Sequence, residues 1–137
     1  MEKNLWRVID ANFNRAKEAL RVAEDLARLI LNDRTLASRY KKCRHDLSKT
    51  LLAMPVSYLK MLETRDSRRD VGKRSTIQDP KRAPKWQDLM VANLKRAQEA
   101  LRVLEECSKG AAPRQSGRFQ KLRFECYDLE KQSIRKF

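Results

Sequence analysis

Asn12, Arg15 and Glu18 stand at successive steps of three, and the same residue types return in the same order at Asn93, Arg96 and Glu99. On an α-helix, at about 100° per residue, such steps keep neighbouring side chains on adjoining parts of one surface. Arginine suits bidentate recognition of phosphate or carboxylate, because its guanidinium presents several donors in a planar fork. An asparagine at the end of an apolar stripe is costly unless its amide finds partners. Glu18–Arg21 and Glu99–Arg102 read first as solvated i,i+3 ion pairs, which contribute little when exposed. Asn12, Arg15, Asn93 and Arg96 read as a site, with Glu18 and Glu99 as further candidate contacts to its ligand.

These residues belong to a longer repeat. Residues 11–24, Ala-Asn-Phe-Asn-Arg-Ala-Lys-Glu-Ala-Leu-Arg-Val-Ala-Glu, recur 81 positions later as Ala-Asn-Leu-Lys-Arg-Ala-Gln-Glu-Ala-Leu-Arg-Val-Leu-Glu. The copy keeps its arginines and glutamates as well as its apolar positions, so the similarity exceeds what two amphipathic helices need. Asn12, Ala16, Ala19 and Ala23 fall on one stripe, copied as Asn93, Ala97, Ala100 and Leu104. Small residues there let two helix backbones approach closely. A weaker match follows, in which residues 39–46 resemble residues 118–125 at a spacing of 79.

Helical periodicity and strong helix formers predict a first helix over about Leu5–Leu31. Asn32-Asp33 breaks it. A second helix is expected over about Thr35–Met54, stopped at Pro55, with a short amphipathic piece over Val56–Glu63. Pro84 is suited to open the next helix, which should run to Lys109 and take Gly110 as its C-terminal cap. A last helix is expected from near Ser116. The fold class is therefore all-α: a bundle of two duplicated antiparallel helical hairpins joined by a polar loop. Residues 1–137 form a single helical domain, with repeats at about 5–54 and 85–135 and a connecting segment at 55–84.

The connecting segment is the second place to look for chemistry. Arg65, Asp66, Arg68, Arg69, Asp70, Gly72, Lys73 and Arg74 combine phosphate-binding cations, carboxylates able to hold magnesium, and a permissive glycine. Asp79-Pro80 and Ala83-Pro84 close it with turn signals. Gly72-Lys73 lacks the earlier glycine and the following Ser or Thr of a P-loop, so that motif is rejected. His45 is the sole histidine and has no companions for a zinc site. Cys43, Cys107 and Cys126 are odd in number and widely spaced, which points to free thiols packed as small hydrophobes.

The 137 residues carry a formal charge of +14, and 36% of them are charged. That balance favours anionic partners, whether nucleic acid, an acidic surface or phosphorylated ligands. The start Met-Glu-Lys-Asn-Leu-Trp has no signal-type apolar region, and no apolar run approaches membrane-span length. A cytoplasmic protein without a membrane partner is expected.

The ordered set Ile9-Asp10-Ala11-Asn12-x-Asn14-Arg15-Ala16-x-Glu18-Ala19-Leu20-Arg21, Arg44-His45, Arg65-Asp66-Ser67-x-x-Asp70-Val71-Gly72 and Ala92-Asn93-x-x-Arg96-Ala97-x-Glu99 resembles a known family. It is the small helical domain found fused to the N-terminal side of thiamine phosphate synthase, regarded as an alternative hydroxymethylpyrimidine phosphate kinase. The resemblance implies ATP-dependent phosphorylation of hydroxymethylpyrimidine phosphate to its diphosphate, in a stand-alone protein or in a domain of a longer one. ATP and magnesium are then the cofactors, and a thiamine phosphate synthase and a second copy of the chain are the candidate protein partners. For that reaction the chemistry of the residues, and not the resemblance, suggests Arg15, Arg96, Asp66 and Asp70 as catalytic, with Asp66 and Asp70 holding the metal. Asn12, Asn93, Arg44, His45, Arg65, Gly72, Glu18 and Glu99 bind substrate and phosphate. The alternatives are a basic helical module for nucleic acid and a non-enzymatic docking or assembly domain.

Overall fold

The computed structural model describes residues 2–73 and 85–137. Among them the chain is all-α, with helices α1 (Glu2–Asp25), α2 (Arg34–Leu52), α3 (Tyr58–Glu63), α4 (Trp86–Ser108) and α5 (Pro113–Ile134). Arg74, the Asp79-Pro80 and Ala83-Pro84 turns, and Pro84 as a helix start lie outside the described residues.

α1 begins earlier than its periodicity predicts and ends sooner. Its last turn widens into a π-helical turn over Leu26–Ile30, where the Leu31 N–H donates to Leu26 O at 3.0 Å and the Asp33 N–H to Ala27 O at 2.9 Å. The wider turn keeps Leu26 and Ala27 in the core while Leu29 and Ile30 face outward. Asn32 then takes the left-handed conformation, with φ 52°, a state that asparagine tolerates better than most residues. Asp33 caps α2 through its side chain, which accepts from the Leu36 N–H at 2.9 Å.

The expected bounds are corrected at two further points. Gly110 is not a left-handed cap, since no described glycine has a positive φ; α4 closes at Lys109 with helical angles instead. α5 opens at Pro113 rather than near Ser116, because proline has no N–H to lose in a first turn and its fixed φ suits the helix.

Cross-helix contacts fix the directions. Asp33 meets Lys136, Arg39 meets Glu125 and Asp128, and Ala53 accepts from Gln115, so α2 and α5 are antiparallel. Gln87 reaches Ile134 and Glu105 reaches Arg123, so α4 and α5 are antiparallel. α1 and α2 reverse across Asn32-Asp33. It follows that α1 and α4, the two copies of the repeated helix, also cross in opposite directions. The duplication is thus arranged about a local two-fold axis perpendicular to the helices.

The core follows the repeat. Ala16, Ala19, Leu20 and Ala23 of α1 are buried, as are their counterparts Ala97, Ala100, Leu101 and Leu104 of α4. The alanines permit the close approach of α1 and α4, which pack on each other extensively. Tyr40 and its counterpart Phe119 are both fully buried. Tyr40 needs a partner that Phe119 does not, and its hydroxyl shares a 2.5 Å hydrogen bond with Ser133. Cys43 and Cys126 are buried, and removal from water pushes the Cys43 thiol up to about 12 and Cys126 upward too. They serve as packing groups. Among the described residues no helix is long and apolar enough to cross a membrane.

Candidate functional site: a duplicated cleft between α1 and α4

The repeated polar residues meet. Asn12, Arg15, Glu18, Ala19 and Val22 of α1 line an open cleft of about 650 Å³, and Asn93, Arg96, Glu99, Ala100 and Val103 of α4 line its other side. Every lining residue is matched by its copy 81 positions away, so the cleft sits on the local two-fold axis. Because the helices cross in opposite directions, Glu18 and Glu99 fall near the middle and Arg15 and Arg96 flank them. Asn12 shares one end with Val103, and Asn93 shares the other with Val22.

Both asparagines are held from below. The Asn12 Nδ2 donates to Val8 O at 2.9 Å, and the Asn93 Nδ2 donates to Leu89 O at 2.9 Å. Each bond consumes an amide donor and fixes the side chain, leaving Oδ1 as the acceptor. The Arg15 Nη1 donates weakly to Asn12 Oδ1, at 3.4 Å. Among the described residues nothing donates to Asn93 Oδ1.

Several arginines of the fold are tied to carboxylates. Arg44 donates to Glu24 at 2.8 Å, and its copy Arg123 donates to Glu105 at 2.9 Å; both carboxylates are buried. Arg39 is held by Glu125 and Asp128. Arg21 and Arg102 pair with Glu24 and Asp25, and with Glu105 and Glu106. They do not pair with Glu18 and Glu99, which corrects the i,i+3 reading: those two glutamates face the cleft. Arg15 and Arg96 are exposed and form no ion pair among the described residues, although two carboxylates share their cleft.

Not every expected site residue joins the cleft. Arg44 ties α2 to α1 through Glu24. His45 is exposed on α2 and lines neither this cleft nor the next, and its copy is Phe124. Arg65, Asp66 and Asp70 sit beside the cleft, in a smaller depression of about 310 Å³ between α1 and the loop after α3. Its walls include Arg7, Asp10, Asn14 and Glu18, so Glu18 borders both spaces. Arg65 grips buried Asp10 with two bonds of 2.8 Å, an interaction that raises its already high pKa. It is thereby committed to anchoring the loop. Gly72 does not present its N–H to an incoming phosphate either, since that group donates to Asp70 Oδ1 at 2.8 Å. The backbone N–H of Arg69 likewise donates to Asp66 Oδ1 at 3.2 Å.

Asp10, Asn14, Val22 and Val103 were not among the candidates. The valines could have been found from the repeat, because they too are copied at 81. Asp10 could not, since its partner is 55 residues away and its counterpart is Val91.

Among the described residues no group of three or more His, Cys, Asp and Glu could hold a metal by itself. Magnesium is commonly held by one or two carboxylates together with substrate phosphates. Of the two carboxylates by the loop, Asp70 keeps its second oxygen free of partners among the described residues, while Asp66 Oδ2 lies 3.9 Å from Arg69 Nε.

The fold and cleft define a duplicated helical domain, and sequence comparison identifies its kind. Residues 7–132 match the model of the ThiD2 family, and the chain belongs to that family. It is 34% identical over 125 residues to a thiamine-phosphate synthase of Rhodopirellula baltica, covering 91% of this chain and 33% of that protein. It is 37% identical over 124 residues to a thiamine-phosphate synthase of Synechocystis, covering 90% and 34%. A thiamine-phosphate synthase of Nostoc punctiforme is 32% identical over 130 residues, covering 95% and 35%. The chain spans about a third of the length of these curated relatives. No solved structure matches it significantly.

Proposed function

We propose that this chain acts in thiamine biosynthesis as a kinase, passing the γ-phosphoryl group of ATP to hydroxymethylpyrimidine phosphate. Membership of the ThiD2 family and the thiamine-phosphate synthase relatives support the placement in thiamine biosynthesis. The observation that carries the kinase reading is the pair of duplicated, unpaired arginines, Arg15 and Arg96, brought to one cleft. Of the described arginines that form no ion pair, these are the two that line this cleft, and they are copies of one another.

In the proposed reaction an oxygen of the acceptor's phosphate attacks the γ-phosphorus of ATP. The bond from that phosphorus to the β–γ bridging oxygen breaks, and ADP leaves with the electron pair. With a dianionic acceptor the charges on the two sides balance and no proton has to be removed. Such a reaction asks for alignment and charge neutralisation more than for a general base. Arg15 and Arg96 supply donors for two groups of phosphate oxygens within a turn of the cleft's middle. Asn12 and Asn93 position the organic parts of the ligands. Asp66 and Asp70 would hold magnesium, which when bound neutralises phosphate charge.

The test is conversion of hydroxymethylpyrimidine phosphate followed by phosphorus NMR, with Arg15→Ala and Arg96→Ala beside the wild type. Each variant is expected to lose at least ~100-fold in turnover while its melting temperature stays near that of the parent, because neither side chain holds the fold. Retained activity in both variants removes the assignment.

A further inference from the structure

The symmetry of the cleft raises a question that the kinase reading leaves open: which part of it holds which ligand. The geometry points to two half-sites of one design, each taking an amino-substituted nitrogen heterocycle that carries phosphate, with the two phosphate ends meeting between Arg15 and Arg96. The inference rests on the proposed kinase reading and assigns one ligand to each end of the cleft.

Three observations carry it. First, the lining is matched residue for residue at an offset of 81, so whatever one end of the cleft recognises, the other can recognise as well. Second, each end combines an amide acceptor with an apolar wall. Asn12 and Asn93 spend an Nδ2 donor on the carbonyl four residues before them. Oδ1 of Asn93 then accepts nothing among the described residues and that of Asn12 only a long 3.4 Å bond from Arg15, so each can accept from an amino group. The opposing valine offers a surface for a ring face. Third, Arg15 and Arg96 flank Glu18 and Glu99 toward the middle, so arginines from both helices can reach phosphates entering from either end while the two carboxylates face the space between them. A fixed acceptor beside an apolar wall disfavours a ligand lacking the amine, because its oxygen is then left desolvated and poorly paired. Adenine and the aminopyrimidine of the proposed acceptor both carry an exocyclic amine on a flat ring, and both lead to phosphate. A duplicated helix is therefore suited to a reaction between two chemically similar partners bound tail to tail.

The crossing of the helices makes a specific prediction about which substitutions act together. Asn12 and Val103 belong to different repeats but to one half-site, as do Asn93 and Val22. Calorimetric titration with hydroxymethylpyrimidine phosphate and a non-hydrolysable ATP analogue with magnesium should show both ligands bound at once. Asn12→Leu and Val103→Phe should each weaken one of these ligands at least tenfold and the other less than twofold. Asn93→Leu and Val22→Phe should weaken the second ligand in the same selective way. The valine variants keep the test valid should loss of an asparagine disturb the fold. Competition between the two ligands, loss of the same ligand in all four variants, or no binding of either overturns the inference. If the selective pattern holds while no phosphoryl transfer is detected, the kinase reading fails and the two half-sites stand.

Discussion

Arg44 and Arg15 are the same residue type on neighbouring helices, yet they do different work because of what was buried beside them. Glu24 and Glu105 are removed from water, and a buried carboxylate needs a cation and donors close by. Arg44 and Arg123 meet that demand, and Arg123 also donates to the Tyr127 hydroxyl at 3.0 Å. Removing one partner should cost far more than removing both. Arg123→Met is expected to lower stability by about 3 kcal/mol, because it leaves buried Glu105 only the long 3.8 Å contact with Arg102. Glu105→Met should cost a comparable amount, whereas the double replacement Glu105→Met with Arg123→Met should be close to neutral. Urea melts of the two single variants and the double variant check this; additive losses would show that the pair is not acting as a unit. The distinction was partly legible in the amino-acid sequence. Glu24 is copied at 105 and Arg44 at 123, so a conserved pairing between adjacent helices could have been read from the two offsets. It was missed because an arginine beside a histidine draws attention as a possible ligand group, and its partner lies 20 residues away.

Among the elements, the helices were legible because propensity and period agreed along long stretches, and the alanine stripe foretold the close crossing of α1 and α4. Their ends were less so. Whether a glycine acts as a left-handed cap, or a proline opens a helix, depends on backbone angles set by the packing around it, as at Gly110 and Pro113. The α1–α2 reversal gives a test at this scale. The Leu36 N–H and then Lys136 hold the Asp33 carboxyl below its ordinary value of 3.8. A group whose folded-state pKa is depressed adds stability above its unfolded pKa and loses it as pH falls through the folded value. Asp33→Ala should therefore lower the melting temperature at neutral pH, and its deficit relative to the wild type should shrink well below pH 3.8. A deficit independent of pH would mean that the cap is not acting through its charge. The loop after α3 depends on another contact of this kind. Asp10→Ala should release Arg65 and speed hydrogen exchange in residues 64–73, with the amides at the centres of α4 and α5 unaffected. Equal acceleration in those helices would show instead that Asp10 supports the whole bundle.

The whole molecule carries +14 formal charges, and charge of that size attracts any polyanion. Attraction and recognition separate with salt. Diffuse attraction to a nucleic-acid backbone depends on releasing counterions, so it falls steeply as ionic strength rises. A cleft that engages phosphate at short range, with an amide acceptor and an apolar wall for the attached ring, retains the part of its affinity that does not come from the long-range field. At about 0.15 M salt that field is screened beyond roughly 8 Å. MgATP and hydroxymethylpyrimidine phosphate should each raise the melting temperature at low salt and continue to do so at 0.15 M, since a ligand that binds only the folded state stabilises it in proportion to its occupancy. A short DNA duplex should raise it only at low salt. Arg15→Ala should abolish the nucleotide or pyrimidine-phosphate shift and leave the low-salt DNA effect nearly unchanged, because one charge among many matters little to the field and a great deal to the cleft. The opposite pattern, a DNA effect that survives salt and vanishes with Arg15, would assign the duplicated helices to nucleic acid and make the cleft a groove for a phosphate backbone.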